Sequence, residues 1–353
     1  MTVLSTRKFI KFIFRKIHLR NKMKVIPLDT EGKIQMPVIG LGTWRAKPEE
    51  VQNAVLAALE NGYKHIDTAF NYNNEDAIGE ALQRFYASGK GKREDLFITT
   101  KLPHVGNRPS EAEKFLKMSM EKLQVSYLDL YLIHMPFSFF YNGSDYTPLQ
   151  NEDGSFQLDT NNDIVGTWKV LEEQVKKGTI KAIGLSNFNA EQIQRIYDAA
   201  EIKPSVLQIE VHAYCQQREL TELCKKLNIT VTAYSPLGSP GANNHFSSKY
   251  NYSLDNFPDI LGHPVVKEIS ENHGKSTGQV LLRHHLQHGI TVIPKSSNSE
   301  RIKQNIDVFD FELSEEEMEK LDSLDKGEEG RIFDFKFFKG AENHPEYPFK
   351  NRL

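Results

Sequence analysis

The sequence is poor in cysteine, in long apolar runs and, at its start, in acid. Cys215 and Cys224 are the two cysteines among 353 residues. Their spacing fits neither a disulfide framework nor a metal-ligand motif, so ordinary thiols in a reducing compartment, the cytoplasm, are expected. No run of about 18 apolar residues occurs, which excludes a membrane span from the expectation. Residues 1–28 hold no Asp or Glu but carry Arg7, Lys8, Lys11, Arg15, Lys16, Arg20, Lys22 and Lys24. Taking those eight charges from the net −3 leaves −11 for residues 29–353. So acidic a body would repel phosphates, and nucleic acid is not an expected partner.

Residues 1–24 read as an appendage, and residues 25–353 as the folded body. In the appendage Phe9, Ile10, Phe12, Ile13 and Ile17 interleave with Lys8, Lys11 and Arg15 at helical spacing. Two readings stay open: an amphipathic targeting segment for a mitochondrion or membrane surface, or a disordered basic tail.

From Val38 onward, short Val/Ile/Leu-rich runs alternate with segments of helical period. The strand candidates are VIGLG (38–42), HIDTA (65–69), FITTK (97–101), DLYLIH (129–134), AIGLSN (182–187), VLQIE (206–210), TVTAYS (230–235) and TVIPKS (291–296). Between them run helical stretches such as Pro48 to Asn61, and one capped at Ser110 with Glu113 three residues on. Eight near-continuously apolar strands separated by helices predict a parallel sheet closed into a (β/α)8 barrel, with a doubly wound open sheet as the alternative. Ahead of them, VIPLDTEGKIQMP reads as a β-hairpin plugging the barrel bottom. Residues 136–163 and 236–262 are two long polar loops expected on the C-terminal face, and residues 325–353 form an aromatic tail.

The predicted strands end in polar groups: Asp67, Lys101, His134, Ser186 with Asn187, Glu210, Ser235, and Lys295 with Ser296. Buried charge is costly unless paired, so groups converging on one mouth should satisfy each other. Asp67 and Lys101 end adjacent strands and are expected to form an ion pair. Tyr72, just beyond, can reach over the mouth. An ammonium beside a phenol favours phenolate, so Lys101 is expected to draw Tyr72 from its usual value of about 10 toward neutrality. That suits a general acid, with His134 bonding the same reacting oxygen.

In order and interval, HIDTAFNY, FITTK, DLYLIH, GLSNF, LQIEVH, AYSPLGS and IPKS resemble the aldo-keto reductases, over roughly residues 25–353. The resemblance implies a TIM barrel, bound NADP(H) and NADPH-dependent reduction of aldehydes or ketones to alcohols. It places a catalytic tetrad on Asp67, Tyr72, Lys101 and His134. It further implies that Ser186, Asn187 and Gln208 hold the nicotinamide carboxamide, and that Tyr234 stacks on its ring. Thr43 and Trp44 would line the cofactor and substrate mouth. Ser235, Leu237 and Ser239 would hold the pyrophosphate, Lys295, Ser296, Asn298 and Arg301 the 2′-phosphate, and Gln304 and Asn305 the adenine. Two cations with hydroxyl and amide donors suit a doubly charged phosphate, which favours NADP(H) over NAD. The family is often monomeric. Met135 stands where tryptophan often follows the catalytic histidine, and Gln304 where glutamate is frequent. The tail's Phe333, Phe335, Phe337 and Phe338 leave substrate preference open.

Gly274-Lys275-Ser276 lacks the upstream glycine of a P-loop and reads as a turn, with Ser276 capping the next helix. Gly40-x-Gly42 lacks a third glycine, Arg45 standing there, so no Rossmann unit is expected. A metal-dependent hydrolase using His65, Asp67, His134 and His212 is disfavoured by Lys101 at its centre, and no metal is assigned. The non-enzymatic alternative is a barrel that binds NADP(H) without turning it over.

Overall fold

The computed structural model describes residues 24–255 and 257–349. The basic extension therefore lies, but for Lys24, outside the described residues. Val25–Pro27 (β1) and Gln35–Pro37 (β2) pair antiparallel, joined by a turn that closes through Gly32 N–H to Asp29 O at 3.2 Å. This is the expected hairpin. Its Met36 is fully buried against Phe97, Leu130, Leu132, Ala182 and Val206, with Ile26, Leu28 and Ile34 packed alongside, so it seals one end of the sheet.

Eight parallel strands follow: Leu41–Gly42 (β3), His65–Asp67 (β4), Phe97–Leu102 (β5), Leu128–Ile133 (β6), Ile180–Ser186 (β7), Val206–Glu210 (β8), Thr230–Tyr234 (β9) and Thr291–Val292 (β10). Each pairs with its sequence neighbour. The ends join through parallel bridges between Ile39 and Val292 and between Gly42 and Lys295. This closes the barrel that the sequence predicts. The seam needs glycine at 42, because a Cβ there would stand 2.5 Å from the Ile293 carbonyl oxygen. β10 is shorter than predicted, since Pro294 has no N–H to continue the ladder.

Helices cover the sheet: Pro48–Glu60 (α1), Glu75–Ala87 (α2), Pro109–Leu123 (α3), Ile164–Lys176 (α4), Ala190–Ala199 (α5) and Arg218–Lys226 (α6). Ala242–Tyr250 (α7), Pro264–His273 (α8), Thr277–Gln287 (α9), Ser299–Ile306 (α10) and Glu315–Asp322 (α11) complete them. α3 starts one residue before the predicted cap: Arg108 is the N-cap, and Pro109 takes the first turn, where its missing N–H costs nothing. Ser276 caps α9 as expected, its Oγ accepting from Gln279 N–H and Gln279 Oε1 accepting from Ser276 N–H.

Residues 136–163 fold back on themselves through bridges Phe139–Leu158, Tyr141–Pro148 and Gln150–Phe156. Residues 236–262 are not a plain loop, for they contain α7. Its weak helix formers (Asn243, Asn244, Ser247, Ser248) are held by tertiary contact, with Phe246 fully buried and stacked 4.6 Å from Phe337 of the tail.

Candidate active site

β4 delivers Asp67 and β5 delivers Lys101 to the same buried spot. Lys101 Nζ donates to Asp67 Oδ1 at 2.6 Å and to the Thr68 carbonyl at 2.7 Å, and reaches the Tyr72 hydroxyl at 3.4 Å. Gln208, from β8, donates to the other Asp67 oxygen at 2.7 Å. Both charges are thus paired and hydrogen-bonded, the condition for keeping them inside. Beyond β4 the chain makes one tight turn, Phe70–Tyr72, which ends on Asn73 at φ 54° and turns Tyr72 back over the lysine. Asn74 ties this turn to the loop after β3, donating to the Thr43 and Ala46 carbonyls at 3.0 Å each. Thr43 Oγ1 in turn donates to the Asp67 carbonyl. The sequence reading missed Asn74, which only a fold could pair.

His134 lies just past β6, its ring 5.8 Å from that of Tyr72 and edge-on to it. Burial first, then Lys101 and His104, hold it well below the ordinary histidine pKa, so it is neutral at physiological pH. Its Nδ1 is buried with no hydrogen-bond partner among the described residues. Burial opposes the charge on Lys101, but Asp67 and then Tyr72 restore it, leaving the ammonium above its usual range. For Tyr72 the expected direction is corrected. Burial raises the phenol most; Lys101 pulls it back without winning, and the net direction is up.

The residues assigned to a nicotinamide also come together. Asn187, at φ 64° after β7, donates to the His134 carbonyl at 2.9 Å and to Ser186 Oγ at 3.0 Å. Its Oδ1 accepts from the Tyr234 hydroxyl at 2.8 Å. Trp44 faces Phe333 of the tail at 5.3 Å, and Phe333 meets Tyr234 edge-on at 5.4 Å. Glu210 does not join the tetrad. It is fully buried, accepts from His212 at 2.8 Å, and takes the Ile332 and Phe333 N–H groups at 2.7 and 2.9 Å. Phe333 emerges as a site residue that the sequence reading left as tail.

The predicted phosphate residues flank the barrel seam. Ser235, Gly238 and Ser239 all have positive φ (51°, 76° and 45°), and the Gly238 N–H closes the turn onto the Ser235 carbonyl at 2.9 Å. Leu237 lies in this loop. Ser296 Oγ accepts from Asn298 N–H, and Asn298 Oδ1 caps α10 by accepting from Arg301 N–H at 2.9 Å. Gln304 is exposed and Asn305 buried on the same helix. Lys295 Nζ donates to Ser297 Oγ at 3.0 Å, a partner not foreseen. Its pKa is lowered by desolvation first, raised by Glu50, then lowered by Arg45 and Arg301. Among the described residues, none of these three cations makes an ion pair within 4.0 Å. Arg45 was also missed. It sits at φ 65°, 5.3 Å over Trp44, and its Nη1 is 3.1 Å from where a Cβ on Gly241 would stand. Its positive φ has no mark in the sequence.

The family model described as "Aldo/keto reductase family" matches residues 38–326. "Aldo-keto reductase family 1 member A1" of Mus musculus is 44% identical over 322 residues, covering 90% of this chain and 96% of that protein. "Aldo-keto reductase family 1 member A1-A" of Danio rerio is 43% identical, covering 89% of this chain and 95% of that protein. The solved structure of the aldose reductase from Schistosoma japonicum superposes with a TM-score of 0.81 at 42% identity, covering 92% of this chain and 98% of that one.

Proposed function

The chain belongs to the Aldo/keto reductase family, and from that premise we infer how its own residues carry out the NADPH-dependent reduction of aldehydes and ketones to alcohols. The observation that carries the reading is one ammonium, Lys101 Nζ, held between Asp67 at 2.6 Å and the Tyr72 hydroxyl at 3.4 Å.

The residues present fit the cofactor. Arg45 and Arg301 both disfavour the charge on Lys295, and the three lack ion-pair partners among the described residues, which suits an anionic group. Ser186, Asn187, Gln208 and Tyr234 would hold the carboxamide and ring. Ser235, Leu237 and Ser239 would hold the pyrophosphate. Lys295, Ser296, Asn298 and Arg301 would take the 2′-phosphate, and Gln304 and Asn305 the adenine. When bound, NADPH supplies hydride to the substrate carbonyl carbon.

Tyr72 delivers the proton to the carbonyl oxygen. Its raised pKa keeps the phenol protonated through the physiological range, so the acid form is always loaded. Lys101 favours the phenolate that remains after transfer, and its charge is maintained by Asp67. Neutral His134 aligns the carbonyl by hydrogen bonding, with Trp44 beside the mouth. A complete donor set at one point gives the binding-only alternative nothing to explain.

The test follows NADPH absorbance with a panel of aldehydes for wild type and Tyr72→Phe. Loss of turnover by roughly 10²–10⁴ is expected for removal of a positioned acid. Near-wild-type turnover in the variant would overturn the assignment. We further propose a monomer acting in the cytoplasm, where the unpaired Cys215 and Cys224 remain thiols. Among the described residues no helix is long and apolar enough to cross a membrane. Sedimentation, and a reporter fused to residues 1–24, test these two points.

A further inference from the structure

Away from the barrel mouth, α9 carries His284 one turn before His288, and α11 ends at Asp322. Both imidazole Nε2 atoms meet the same carboxylate oxygen, Asp322 Oδ1, at 2.7 and 2.8 Å. The two rings are 4.8 Å apart and perpendicular. We propose that His284, His288 and Asp322 form a binding site for a divalent transition metal of the zinc class, with water completing its coordination.

Three features support this. Histidines at i and i+4 face the same side of a helix and converge on one point. The donor set, two imidazoles and a carboxylate, is one zinc accepts, at about 2.0–2.2 Å. Tetrahedral bonds of that length separate ligand atoms by about 3.3 Å, so each present contact must open by roughly half an ångström, a small side-chain rotation. Finally, α9 and α11 both end here, and helix C-termini favour positive charge.

The surroundings set the strength. His284 is buried, whereas the His288 and Asp322 side chains are 38% and 22% exposed, leaving room for water. Arg218 Nη2 lies 3.8 Å from Asp322 Oδ1 and opposes a second cation. A neutral imidazole binding through Nε2 carries its proton on Nδ1, which in His284 is buried without an acceptor. An outer acceptor would tighten the site, and His284 lacks one, so moderate affinity is expected.

The test titrates the full chain, without an affinity tag, with Co²⁺ and follows visible ligand-field absorption, then displaces it with Zn²⁺. One equivalent should bind. His288→Ala and Asp322→Asn, partly exposed positions whose folding circular dichroism verifies, should weaken binding beyond the roughly 10–100-fold cost of losing an outer partner. NADPH-dependent turnover should be unchanged. His288→Cys should restore binding and add a thiolate-to-cobalt charge-transfer band. Cys215 and Cys224 are buried with raised pKa values and should give no such band in the wild type. No Co²⁺ absorption in the wild type, or wild-type affinity in His288→Ala, would overturn the proposal.

Discussion

Glu210 holds Phe333 by its backbone: the carboxylate takes the Phe333 N–H at 2.9 Å, and the ring is thereby set edge-on to Tyr234 at 5.4 Å. A strand of the barrel thus fixes the position of an aromatic in the tail. Glu210→Gln places an amide donor against backbone donors in a buried spot, where an unmet group costs about 1–3 kcal/mol. The expected result is a raised KM for bulky aldehydes with a smaller change in kcat, measured by steady-state kinetics. Equal KM values for large and small substrates would refute the link.

Lys101→Met removes one member of a fully buried ion pair and leaves Asp67 uncompensated. Unfolding by denaturant should show a loss of about 3–5 kcal/mol. Adding Asp67→Asn should recover much of that stability but none of the turnover, which separates the pair's structural role from its chemical one.

Glu75 sits at the start of α2, buried, bonded by Thr100 Oγ1 at 2.5 Å and Ser119 Oγ at 3.0 Å. Burial pushes its pKa to about 7, and the two hydroxyls only partly oppose this. In the unfolded chain it titrates near 4.3. Between these values the folded state binds the extra proton, so stability falls as pH rises from about 4.3 to about 7, then levels. At about 1.36 kcal/mol per unit, the cost at pH 8 is on the order of 4 kcal/mol. Glu75→Gln should remove that slope, read from urea midpoints at pH 5 and pH 8.

Lys295→Glu inserts an anion beside Arg45 and Arg301. The KM for NADPH should rise far more than that for NADH, since only the former carries the extra phosphate. Arg45→Ala should weaken NADPH binding by fluorescence titration. Equal effects of Lys295→Glu on the two cofactors would place the 2′-phosphate elsewhere.

The strands and the convergence of Asp67, Tyr72, Lys101 and His134 were legible because their signals are local. Apolar runs mark β4 through β9, and Asp67, Lys101 and His134 stand at or just past strand ends where period and register put them. What escaped depends on distance or burial. Glu210 and Phe333 are 123 residues apart, so their bond has no sequence signature. The Tyr72 pKa was misjudged because the neighbouring charge is visible in the sequence while the depth of burial is not. α7 was hidden by helix-poor residues that Phe246 holds in place. Arg45 lies on a left-handed backbone, and His284, His288 and Asp322 meet only because α9 and α11 end together.

The seam between β3 and β10 has a dynamic consequence. It is closed by few bonds, from Gly40 N–H to Val292 O, Val292 N–H to Val38 O and Gly42 N–H to Pro294 O. Arg45 lies just beyond one lip and Lys295 just beyond the other, so a ligand gripped by both would act as a staple across a zip. Amide hydrogen exchange at Gly40, Gly42 and Val292 should then slow sharply on adding NADPH, while the tightly laddered β6 and β7 keep their rates.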